Sequence, residues 1–393
     1  MFDGDLIMKN TVEKNSITAL SSLYLFIIWE KSRHKSDEIF DDMKKKFVIR
    51  DVYEVNWNKI QFVDNLTRFY GTPTAAEQKA NFLGTGPFLL VLVSDQHQKF
   101  ITLKTDKDSE IINKNILDSK TLYRKWVGID FAIHSSISEK ESNHNLTLFF
   151  GKSVRELEKQ LPKKWDGIIK KSKLELFGND GWENIMQLFN VLNGMRYVIL
   201  RNFENLPSTD NLKDIDILTE QPSIKLVINP NFLKIKDRIL SSIVNINNQK
   251  VLFDFKFVMD SYFDKKWSEN IIKRRILHLN GFYVPCKEDQ FYTLLYHVIF
   301  QKPSSLNKYK KTLVSLSKEL MIHDINEQTI NDFTYLKKFL KFYMSKMQYN
   351  DTTSVKYKFL HNTLFRYFRT SIFILKTRGL RNLLFVIKTK INN

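Results

Sequence analysis

The chain has 393 residues, 43% of them apolar, and a formal charge of +18 from 61 basic and 43 acidic side chains. At roughly 150 residues per domain it should hold two or three domains, each able to bury a core. A single cysteine, Cys286, excludes internal disulfides and cysteine-built metal clusters, and the positive excess favours phosphorylated substrates, nucleic acid or an anionic membrane leaflet as partners.

The opening MFDGDLIMKN is acidic where a secretory signal would be basic, and no stretch reaches the ~18 apolar residues of a membrane-spanning helix. The expected location is the cytoplasm, with peripheral attachment at the inner face of the membrane.

Residues 1–20 read as a polar lead-in. Residues 23–29 (LYLFIIW) predict a buried strand, and residues 37–47 predict a helix with Ile39, Phe40, Met43 and Phe47 at helical spacing. A strand over 48–57, a second helix through Ile60, Phe62, Val63 and Leu66, and a buried strand over 88–95 follow. With a last strand expected at 146–150 (LTLFF), residues 21–155 predict a ferredoxin-like α/β domain. Gly151-Lys152-Ser153 is not a P-loop, because Leu146 stands where the earlier glycine is required. Residues 156–175, charged and interrupted by Pro162, read as a linker.

Residues 176–265 form the second predicted domain. Asp180 is placed to cap a helix whose apolar face carries Trp182, Ile185, Met186, Phe189 and Leu192, with Gly194 ending it and a strand starting at Tyr197. In KDIDIL (213–218), Asp214 and Asp216 share one face of a strand while Ile215 and Ile217 turn to a core. Two adjacent carboxylates repel, and a hard divalent cation is the usual reason to hold them together. The competing reading is a solvated edge strand with an acidic outer face.

A helix is expected near 232–244, then a strand at 251–258 (VLFDFKFV). This strand has Asp254 and Lys256 on one face and Phe253, Phe255 and Phe257 on the other. A third carboxylate on a neighbouring strand suits in-line displacement at phosphorus, where paired ions sit about 3.5–4 Å apart. Asp260 is a reserve candidate, equally readable as a turn residue or cap.

Residues 266–393 predict a helical, basic region. Along residues 288–302, Phe291, Leu294, Leu295, Val298 and Ile299 share a face, and His297 beside them reads as a core histidine. Lys302 and Tyr309 either reach a phosphate or lie on a solvated face. After Asp351 there is no acidic residue, while Lys356, Arg366, Arg369, Arg378 and Lys388 alternate with Phe365, Phe368, Phe373 and Phe385. Such a stretch can lie on an anionic leaflet, pack on the preceding domain, or, third in order, grip nucleic acid.

The Asp-Ile-Asp followed by a strand-borne aspartate resembles the nucleotidyltransferase fold of polymerase-β type. That resemblance implies Asp214, Asp216 and Asp254 as ligands of Mg²⁺ (or Mn²⁺) on a nucleotide's phosphates. The family's Gly-Ser or Gly-Gly turn is here Leu200-Arg201-Asn202. Arg201 can grasp a phosphate through its planar fork of donors, with Asn202 and Lys256 beside it as further substrate-binding candidates. The wider stretches, YVILRNFENLPSTDNLKDIDIL, VLFDFKFVMDSYFDKKW and GFYVPCKEDQFYTLLYHVIFQK, resemble bacterial surface-polysaccharide proteins of this fold, related to the fukutin and LicD type. The resemblance implies a Mg-dependent transferase that moves a phosphate-containing group from a nucleotide-activated donor, such as a CDP-linked one. The acceptor would be a capsule or lipopolysaccharide glycan, or a lipid-linked one. The alternatives are a nucleotidyltransferase acting on RNA, protein or a small phosphate, and a non-catalytic nucleotide-binding scaffold.

Residues 121–150 (TLYRKWVGIDFAIHSSISEKESNHNLTLFF) resemble the catalytic region of nucleoside diphosphate kinases, and GTGPFLLVLV (84–93) resembles that family's Ser-Gly-Pro strand. The match implies Thr121 and Arg124 on phosphates, His134 as nucleophile and Ser136 at the motif's serine. The motif's Asn falls on Phe131, its Asp on Ile137, and no lysine stands at Ile28-Trp29-Glu30. The readings are phosphohistidine chemistry, a domain that binds a nucleotide or phosphate, and a packed histidine.

Overall fold

Strand β1 (Leu23–Ile28) is buried at all six positions, because both faces of its sheet are covered. It leads through a short 3₁₀ turn into α1 (Ser36–Lys46), β2 (Val48–Val55), α2 (Phe62–Tyr70), α3 (Ala76–Leu83) and β3 (Phe88–Ser94). A hairpin of β4 (Phe100–Lys104) and β5 (Ser109–Asn113) precedes α4 (Lys114–Val127), β6 (Ile133–Ser135), α5 (Glu139–Phe150), α6 (Val154–Gln160) and β7 (Lys170–Ser172). The sheet order is β6-β1-β3-β2-β7, antiparallel throughout except for the parallel β2–β7 pair. This computed structural model describes residues 22–71, 76–104, 109–173, 175–208, 214–228 and 241–352.

Two expectations change here. Residues 146–150 are the last turns of α5, not a strand. Ser138 caps the helix through the Glu141 amide, Gly151 ends it in the left-handed conformation, and Leu146, Leu148 and Phe149 form its buried side. The strand that closes the sheet is β6, which contains His134. The stretch expected as a linker holds α6, closed by a Ser153–Glu156 capping box, and β7, which extends the first sheet.

The second half continues with α7 (Ile185–Leu192), β8 (Tyr197–Ile199), β9 (Asp214–Thr219), α8 (Ile224–Ile228), β10 (Ser241–Ile246) and β11 (Gln249–Phe257). Its sheet order is β10-β11-β9-β8, with β9 and β11 parallel and the outer pairs antiparallel. Asn184, not Asp180, caps α7, and Trp182 lies before the helix, bridged to Ile246. The helix expected near 232–244 is a strand from Ser241 onward, and residues 229–240 lie outside the described residues.

Next come α9 (Lys265–Lys273), a small hairpin of β12 (Ile276–Leu277) and β13 (Tyr283–Val284), α10 (Lys287–Tyr296), α11 (Leu306–Glu319) and α12 (Phe333–Met347). A π-helical turn, His297–Gln301, extends α10. The expected lead-in of residues 1–20 and the basic stretch from 353 lie outside the described residues. Among the described residues, no helix is long and apolar enough to cross a membrane.

The layers follow from strand alternation. Tyr24, Phe26 and Ile28 pack with α1 and α4 on one side of the first sheet. Leu25 and Ile27 face the other side and share one core with α2, α5, α7 and α8, and with Ile215, Ile217, Phe253 and Phe255 of the second sheet. The far face of that second sheet, Val198 and Leu218, packs on α9 to α12. This is a mixed α/β architecture in which a helical layer separates two sheets.

Candidate functional site

Because Ile215 and Ile217 enter the shared core, Asp214 and Asp216 face the opposite way, toward the helices of the C-terminal half. The parallel register of β9 and β11 sets Asp216 directly beside Asp254, and Asp214 beside Leu252. Lys256, two positions past Asp254, shares its face.

The buried member is Asp216, 2% exposed. Arg201 Nη2 donates to its Oδ1 at 2.9 Å, and Lys256 Nζ lies 3.9 Å from the same oxygen. Lys256 also pairs with Asp254 Oδ2 at 2.5 Å and lies over the Tyr262 ring, 4.9 Å from its centre. Arg201 is fixed from its other side, since Nη1 donates to the Tyr262 hydroxyl at 3.1 Å. Burial pushes the Asp216 carboxyl up, against the pull of Arg201 and Lys256, and Asp214 and Asp254 push it up further. Burial also disfavours the Arg201 charge, yet Tyr262 and Asp216 outweigh it and hold the guanidinium above its ordinary value.

Tyr262 is itself anchored. Asp260 accepts the amides of Phe257 and Tyr262, so it is a turn residue. The Tyr262 carbonyl accepts from Gln301, whose Oε1 meets His297 Nδ1 at 3.0 Å in the π-helical turn. His297 is buried, as expected for a core histidine.

Asp214 and Arg201 open onto a cleft of about 960 Å³ between the second sheet and α10–α11, with Lys287, Lys308 and Lys311 among its walls. Asn202 takes a left-handed conformation, φ 59°, which asparagine tolerates better than most residues. Its Oδ1 accepts from Lys308 Nζ at 2.9 Å and Tyr309 Oη at 3.0 Å, pinning α11 to the turn after β8. Tyr309 is therefore buried, whereas Lys302 is exposed.

His134 is elsewhere. It lies on β6 opposite Ile27, 5% exposed, and faces the shared core. Its Nε2 meets Asn145 Nδ2 at 2.8 Å and lies 3.8 Å from Glu141, while Phe69 and Tyr70 present ring edges to it. Burial, then Lys120, Arg124 and Lys79, holds the imidazole well below its ordinary 6.5, so it is neutral at pH 7. Arg124 donates through Nε to the Ile133 carbonyl, whereas Thr121 is exposed and bonds back to Leu117. His134 borders a smaller cavity of about 280 Å³, lined also by Tyr70, Glu141, Asn145, Gly194 and Gln221.

The structure thus places Asp214, Arg201 and Asn202 in the wall of one cleft, joins Asp216, Asp254 and Lys256 to them through the Arg201–Asp216 and Lys256 ion pairs, and sets His134 beside a separate cavity. Sequence reading missed Lys308 and Lys311 in the wall of the first, Tyr262 behind it against Arg201 and Lys256, and Asn145 beside His134 at the second. Only the spacing of Lys308 and Lys311 on one helical face hinted at their convergence. No protein-family model matches the chain, and neither a curated protein nor a solved structure does.

Proposed function

We propose that the acidic cleft is the active site of a transferase that moves a phosphate-containing group from a nucleotide-activated donor, such as a CDP-linked one, to a hydroxyl of a cell-surface glycan or its lipid-linked precursor. The observation behind this reading is the pairing of Asp216 with Asp254 across parallel strands, with Asp214 beside them at the mouth of a lysine-lined cleft of nucleotide size. The mixed order β10-β11-β9-β8 supports a nucleotidyltransferase-type fold for this half. The antiparallel order β6-β1-β3-β2, with α1 and α4 on one face, supports a ferredoxin-like first half.

Three hard carboxylates suit Mg²⁺ or Mn²⁺ in kind. Their arrangement does not: Lys256 sits between Asp254 and Asp216. Among the described residues, no group of three or more His, Cys, Asp and Glu side chains is arranged to hold a metal ion. Lys308, Lys311 and Arg201 receive the donor's phosphates and offset their charge. The acceptor oxygen bonds to the phosphorus of the transferred group, and the bond to the nucleotide breaks with its electron pair leaving on the nucleoside phosphate. The proton passes to Asp214, which is part-exposed toward the cleft.

Calorimetry of CTP, CDP, CMP, UTP, GTP and ATP, with and without Mg²⁺, tests this. A cytidine nucleotide should bind, and Lys311→Ala should weaken it about tenfold, the value of one charge-assisted contact. Absence of any nucleotide binding, or binding that Lys311→Ala leaves unchanged and His134→Ala abolishes, overturns the reading. A second reading, a nucleotide-binding scaffold, draws on the internal neutralisation of the trio by Arg201 and Lys256. It requires binding without turnover.

A further inference from the structure

The acidic trio does not wait for a counterion from solution. On a strand, position 256 is the next on the face that carries Asp254, and the parallel register brings Asp216 alongside. A single ammonium therefore lies 2.5 Å from Asp254 Oδ2 and 3.9 Å from Asp216 Oδ1. Its side chain is 9% exposed and rests against the Tyr262 ring, so this is a seated cation and not a solvated surface lysine. Arg201 occupies Asp216 from the other side, and three carboxylates facing two cations keep one net negative charge.

A divalent ion binding these carboxylates would need their oxygens at about 2.0–2.1 Å with its own shell around it. An ion bound to Asp254 would set its two positive charges within a few ångströms of the Lys256 ammonium, and the two cations repel. We infer that Lys256 is a built-in counter-cation which occupies the divalent-metal position between Asp254 and Asp216, so that metal and ammonium compete for one place. This inference rests on the acidic cleft being the functional site. Its consequence is a site that stays closed to free metal until something draws Lys256 away. The phosphates of a bound donor, offering the ammonium another anion, are the chemistry suited to do so.

The test is a Mn²⁺ titration of the full chain without nucleotide, followed by electron paramagnetic resonance of the free ion. Lys256→Gln should bind Mn²⁺ at least about tenfold tighter than the wild type, as removal of one adjacent like charge allows. The gain should vanish when Asp254→Asn is added. Lys256→Met, of similar length and easily buried, replaces Gln if that variant misfolds. Equal Mn²⁺ affinity in wild type and variant, including no binding by either, overturns the inference, as does a gain that survives Asp254→Asn. Because no nucleotide is present, the result is independent of the donor-binding experiment. A gain in Mn²⁺ affinity in a protein that binds no nucleotide would sink only the proposed function, and nucleotide binding with unchanged Mn²⁺ affinity only the inference.

Discussion

Asp216 sits in a nearly dry position between two cations, Arg201 and Lys256, whose pull opposes the burial that pushes its carboxyl up. Removing one partner of such a pair is commonly far more damaging than replacing the whole cluster by apolar groups, since the remaining charge stays buried. His134 shows the opposite solution, a buried imidazole kept neutral. Its folded pKa lies well below 6.5, so between those values the unfolded chain binds the extra proton. The stability this neutral histidine permits is fully present above about pH 6.5 and is lost as pH falls below it, by up to roughly 1.4 kcal/mol per pH unit. Urea unfolding from pH 7 to 5 should therefore show a shallower loss in His134→Gln than in the wild type. Identical slopes would mean that His134 takes up its proton in the fold as it does in the unfolded chain.

At the scale of elements, α5 shows why LTLFF misleads. β-Branched and aromatic residues fit a pleated sheet, but here the same side chains supply the buried stripe of a helix with strong signals at both ends. Ser138 supplies the N-terminal cap, and Gly151 stops the helix at φ +66°. A Cβ on Gly151 would come within 2.5 Å of the Phe177 ring, and the left-handed conformation penalises any L side chain. Gly151→Ala should cost about 2 kcal/mol, read as a lower urea midpoint at unchanged slope. A change below about 0.5 kcal/mol, the size of an ordinary surface substitution, would show that Phe177 moves aside freely and that the turn relaxes. The π-helical turn works differently: by offering Gln301 to the Tyr262 carbonyl, it supports a side chain that in turn fixes Arg201.

For the whole molecule, the decisive feature is the core shared by the two sheets. Trp29 and Trp57 of the first half lie in the same cluster as Phe189, Ile217 and Phe255 of the second, and His144 on α5 reaches both the Val191 and Phe69 carbonyls. Residues predicted as separate domains thus bury each other's apolar faces. Tryptophan fluorescence and far-UV circular dichroism should report one coincident urea transition for the chain. Two separated transitions would show that each half closes its own core.

Local periodicity by itself determined much of this protein: β1, α1, β2, α2, β3 and the β9 and β11 strands, and with them the faces of Asp214, Asp216 and Asp254. Those are consequences of a two-residue or 3.6-residue repeat, which a sequence displays directly. Strand neighbours are not local. That β9 lies parallel to β11, that Lys256 therefore reaches the carboxylates, that Tyr262 braces Arg201 and that α11 walls the cleft depend on contacts between residues 15 to 107 positions apart. Tertiary contacts also decided two misread segments: LTLFF lies in a helix between the Ser138 and Gly151 caps because its apolar stripe joins the shared core, and the end of an apparent linker became a sheet edge by pairing with β2, more than a hundred positions earlier.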